Sequence, residues 1–138
     1  MVDQIKLDQM LSNLKRYTGV LRELAALSPE EFLGSPDRIG NAKYHFVIAI
    51  ECCIDVANHV IASENYRFPR DNADSFVVLG EHGVLDPAFA EHLGAMARFR
   101  NRLVHLYWDV EDRRVFGYLQ ESLVDLDRFA EAIAAHPW

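Results

Sequence analysis

Cysteine is scarce in this chain, and its placement excludes more than its number does. The only two, Cys52 and Cys53, are adjacent, so they are poorly placed to bond to each other. No disulfide framework is available, and a reducing cytoplasm is the expected compartment. Basic charge is also short. The formal net charge is −7, which argues against broad, non-specific nucleic-acid binding and leaves room only for a local basic site. The opening "MVDQIKLDQ" lacks the apolar core of a signal peptide. The most apolar run, "FVIAIECCIDVA", carries Glu51 and Asp55 and is too short to span a bilayer, so no membrane role is expected. A glycine-rich phosphate loop is missing, as are repeats, linkers and low-complexity tracts. The six histidines fall at 45, 59, 82, 92, 105 and 136 without H-E-x-x-H or comparable spacing, so no metal site and no cofactor are expected.

What is present is ordinary globular composition, 50% hydrophobic and 25% charged. A chain of 138 residues suits one domain, residues 1–138, which can bury roughly two-thirds of its unfolded surface. Leu7, Leu14 and Leu21 repeat every seven residues, with Met10, Tyr17 and Leu24 three residues on. That seam predicts an amphipathic helix over 4–27. "SPEEF" from Ser28 predicts a short helical turn, and "SPD" at Ser35 opens a long helix to about Ser63. "NYRFPRDNADS" reads as a loop, and Ser75 to His82 as a short helix closed by Gly83. Asp86 and Pro87 start the next helix, and a last one is expected from about Asp112 to Ala135. No segment sustains strand alternation, so the expected architecture is an all-α bundle of about five helices.

One stretch stands out, "RFRNRLVHLYWDV", in which arginines occupy 98, 100 and 102. On a helix at about 100° per residue, Phe89, Leu93, Met96, Leu103, Val104 and Tyr107 gather on one face with Arg100 at its centre. Arg98 and Arg102 fall on the opposite, solvated side. A guanidinium on a packed face needs a partner, because an unpaired buried charge costs several kcal/mol. Two readings follow: a structural ion pair with Glu51 or Asp55, which share a face of the long helix, or a cleft position that binds an anion. His105 cannot meet Arg100 on one face of a straight helix, since five residues turn about 140°. Either the helix ends near Val104, or a second protomer completes the pair. His59 reads as a satisfied polar residue of the bundle, or as a support for Arg100 together with Asp55. The two cysteines read as core.

"RNRLVHLYWDV" resembles the R-x4-H-x-Y motif of the HepT-like group within the HEPN superfamily. "AIECCIDVANHVIA" and "VFGYLQESLVDLDRFAEAI" are similar to that family's long second helix and its last helix. The resemblance implies a HEPN-type bundle forming a two-fold homodimer, and a metal-independent RNA endonuclease that is the toxin of a toxin–antitoxin pair. It implies that Arg100 and His105 of both protomers form one composite site. In that site His105 would be acid or base, Arg100 the phosphate's counter-charge, and Asn101 an orienting group. Attack by the ribose 2′-hydroxyl makes RNA the substrate. Arg98 and Arg102 become RNA-binding candidates, with Glu51, Asp55 and His59 as supports. The implied partner is a minimal nucleotidyltransferase of the MntA type that transfers AMP to Tyr107, although helical spacing alone reads Tyr107 as a core aromatic. The competing reading is a non-catalytic helical module that dimerises and docks such a transferase.

Overall fold

The computed structural model describes all 138 residues and is built from helices alone. The first five helices each start where the sequence supplies a side-chain acceptor for the first free N–H groups. Asp3 caps α1 (Gln4–Ala25), accepting from the Lys6 amide at 3.1 Å. Ser28 and Glu31 form a reciprocal capping box on α2 (Pro29–Leu33). Ser35 caps α3 (Pro36–Ser63), with Pro36 at the position where a missing N–H is harmless. Asp71 caps α4 (Asn72–Glu81), and Asp86 caps α5 (Pro87–His105). Then come a 3₁₀ turn (Tyr107–Asp109), α6 (Asp112–Glu121) and α7 (Leu123–Ala135).

There are thus seven α-helices rather than about five. The "SPEEF" turn is a helix in its own right, and the expected last helix is broken at Ser122. There the backbone turns to φ −106°, ψ −8°, and the Asp125 amide reaches back to the Ser122 carbonyl at 3.1 Å. The fourth helix begins at Asn72, not Ser75. Asp71 is the stronger capping residue, and Asp74 is held from outside by Arg67.

α3 is the central element. It packs against α1 on one side and α4 and α5 on another, while α6 and α7 close the bundle against α1 and α3. The 36 buried apolar residues form one cluster, centred on Phe32, Phe46, Phe76 and Phe129. The apolar run noted above belongs to a longer apolar stretch. By length and composition alone α3 could cross a membrane, but half of its most apolar stretch is buried inside the bundle.

Candidate active site

The motif occupies the last turns of α5 and the turn that follows. α5 buries Phe89, Leu93, Met96, Phe99 and Leu103. Phe99 was not on the face expected from spacing; it stacks on Tyr118 at 3.9 Å and meets Phe46 edge-on. The helix ends at His105 because Leu106 leaves helical geometry at φ −131°, ψ 45°. Two features hold that ending. The Asp109 carboxylate accepts from Arg102 Nη2 at 3.0 Å, bridging the turn. Val110 is buried, which draws the chain back onto the bundle. Cationic Arg102 also sits where the helix dipole is negative.

Ending the helix there decides the exposure of Tyr107, while Val104, still helical, also departs from the face expected for it. Val104 and Tyr107, expected on the packed face, are 44% and 50% exposed. Past His105 the helical period no longer places side chains. Tyr107 instead lies in the 3₁₀ turn, with its ring 4.2 Å from the ammonium of Lys43. Lys43 is only 6% exposed and also faces Asp112 at 3.3 Å. Sequence reasoning missed Lys43. It lies 64 positions from Tyr107 on another helix, and nothing local marks it.

The Arg100 side chain is four-fifths buried and already partnered. Its Nη2 and Nε donate to Glu51 Oε1 at 2.5 and 3.2 Å, and its Nη1 donates to Asn101 Oδ1 at 3.0 Å. A guanidinium has five N–H donors; these bonds use three of them, so two remain for an anion. Asp55, one turn along α3, makes no ion pair with Arg100. Its carboxyl is pushed above the ordinary range by partial burial and then by the neighbouring Glu51 charge, with Arg100 opposing. His105 is exposed at the end of α5, and no hydrogen bond joins it to Arg100 within one chain.

The other candidates divide. Arg98 is exposed and has no carboxylate partner, whereas Arg102 is half-buried and tied to Asp109 rather than freely solvated. His59 is not satisfied as expected: its Nε2 is buried without a hydrogen-bond partner. It makes no bond to Arg100 or Asp55. Cys53 is fully buried, and Cys52 donates to the Met10 carbonyl at 3.2 Å. Burial first, then the Asp55 charge, push the Cys52 thiol up to about 11, so neither sulfur is a nucleophile near neutral pH. No three His, Cys, Asp or Glu side chains converge in a geometry that could hold a metal ion.

A family model described as ribonuclease HepT-like matches residues 7–133. A protein named mRNA nuclease HepT from Shewanella oneidensis is 31% identical over 85 residues, 62% of this chain. The match spans 64% of that relative's length, less than two thirds. A tRNA nuclease HepT from Aphanizomenon flos-aquae is 24% identical over 98% of this chain and 92% of its own. Among solved structures, the tri-AMPylated Shewanella oneidensis HEPN toxin in complex with its MNT antitoxin superposes with a TM-score of 0.88. It covers 99% of this chain and 100% of the toxin at 23% identity. That likeness establishes the fold.

Proposed function

This chain belongs to the ribonuclease HepT-like family, and from that premise we propose that it is a metal-independent endoribonuclease, the toxin of a toxin–antitoxin pair. We take residues 1–138 as one HEPN domain acting in the cytoplasm as a homodimer. In the dimer, Arg100 and His105 of both protomers share one composite site. The supporting observation is the ending of α5 at His105, which frees the imidazole and the Tyr107 ring while Arg100 stays anchored by Glu51 and Asn101.

The chemistry follows from the side chains. His105 takes the 2′-hydroxyl proton or returns one to the leaving 5′-oxygen, the exchange for which an imidazole is suited. The two free N–H donors of Arg100 face the phosphorane, where charge develops. The product carries a 2′,3′-cyclic phosphate. Tyr107 is the acceptor of AMP from a nucleotidyltransferase antitoxin of the MntA type, and its half-exposed ring is accessible for that transfer. The added phosphate repels RNA and occupies the arginine.

A second reading has its own support. Arg100 is already neutralised by Glu51, as it would be in a non-catalytic module that only dimerises and docks the transferase. An RNA cleavage assay on His105→Ala separates them. The toxin reading expects cleavage to fall by a factor of at least about 100, the scale of a lost general acid or base, with dimerisation intact. A variant that cleaves like the wild type removes the catalytic assignment. Intact-mass spectra with and without the transferase test the modification. Added AMP that disappears in Tyr107→Phe supports it, and an unmodified chain beside an active transferase rules it out.

A further inference from the structure

Arg98, Arg102 and His105 are spaced i, i+4 and i+7, so they follow one stripe of α5 on the side away from Glu51. Arg98 and Arg102 line a cleft of about 320 Å³ between α5 and α6, and His105 follows on the same stripe outside it. The floor of the cleft is apolar, formed by Phe99, Val110 and the stacked Tyr118, and α6 contributes a third arginine, Arg114. Sequence spacing alone did not bring Arg114 to this stripe. Neither Arg98 nor Arg114 has a carboxylate partner, and the Asp109 paired with Arg102 is 60% exposed. Exposed pairs of this kind are worth at most about 1 kcal/mol, so a phosphate can displace it. Three guanidinium groups around one apolar floor are unusual in a chain of net charge −7. Field lines concentrate in such a cleft.

We propose that this α5–α6 cleft is a binding track for single-stranded RNA, leading the strand to His105. The proposal rests on the ribonuclease reading. Arg98, Arg102 and Arg114 hold successive phosphates while an unpaired base enters over the Tyr118 floor, which only a strand with unstacked bases permits. From Arg98 to His105 the helix rises roughly 10 Å, so the track ends at the reacting phosphate. Beyond Arg114 the cleft widens into one of about 560 Å³, where Glu111, Glu121 and the His92-paired Asp125 stand beside Arg113 and Arg114. The mixed charge there attracts a phosphate backbone less than the carboxylate-free lining at the Arg98, Arg102 and Arg114 end.

The test measures binding of a fluorescein-labelled oligoadenylate to full-length His105→Ala protein across a salt series, alone and with Arg98→Ala, Arg114→Ala or both. Each lost phosphate contact lowers the slope of log K against log salt by about 0.7, so the double variant loses about 1.4. Lys15→Ala, on α1 outside the cleft, leaves the slope unchanged. In the otherwise wild-type enzyme, the two arginine variants lower kcat/KM with kcat retained. Unchanged slopes and kcat/KM in a protein that binds and cleaves RNA overturn the track and leave the ribonuclease reading standing. A wild-type protein that neither binds nor cleaves RNA overturns both.

Discussion

Arg98 and Arg100 are two positions apart and have the same side chain, yet they live in different physical surroundings. Arg98 is solvated, while Arg100 reaches across to α3 and closes on Glu51. Replacing Arg98 by alanine removes no bond within the fold, and the expected cost is within about 0.5 kcal/mol. Replacing Arg100 leaves Glu51, itself 39% exposed, without its counter-charge, and the expected loss is about 2 kcal/mol for charge-assisted hydrogen bonds. Urea titration of the two variants checks this, and equal small losses would contradict the packing of Arg100. The helical period was enough to separate these arginines. It was not enough to choose between Glu51 and Asp55, which share a face of α3; only the distances assign the pair.

At the scale of the element, α4 shows how a loop and a helix are locked together. Arg67 spans the loop with its guanidinium, donating to both oxygens of Asp74 and to Glu81. The Arg70 amide also donates to Asp74. These bonds, the Arg67 side chain first, hold the Asp74 carboxyl well below the usual carboxylate range. A depressed carboxyl stabilises the fold above its unfolded pKa, near 3.9, and loses that contribution as pH falls through the folded value. Wild-type stability should therefore decline from about pH 4 downward. Asp74→Asn, weaker by about 2 kcal/mol at neutral pH, should converge on the wild type in acid. Parallel pH–stability curves for the two proteins would refute the assignment. The sequence marked this segment as a loop from its Pro, Asn and Asp content, but the arginine that ties it down carries no local signal.

Over the whole molecule, the one run of consecutive exposed apolar side chains flanks His105 at the candidate site. Val104, Leu106, Tyr107 and Trp108 are all more than 40% exposed, Trp108 reaching 80%. Tryptophan is enriched among the few residues that dominate interfaces, and losing such an anchor costs about 2 kcal/mol or more. If this patch joins the two protomers, Trp108→Asp should weaken dimerisation by about 30-fold or more. Sedimentation equilibrium reads that directly, and an unaltered dimer would place the interface elsewhere. A monomeric wild type would remove the composite site itself.

The sequence by itself determined the helical class, the caps Ser28, Ser35 and Asp86 that start three of the helices, and the stripe that carries Arg100 inward. These depend on residues within a turn or two of each other, where the period of 3.6 governs direction. The motif "RNRLVHLYWDV" also pointed to its family without any coordinates. Tertiary structure alone decided where α5 stops, and with it that Tyr107 is exposed against Lys43 rather than buried in the core. It alone placed Arg114 beside Arg98 and left His59 Nε2 without a partner. Each of these joins side chains from different elements, or ends a helix by packing further on. A local period carries no information about either.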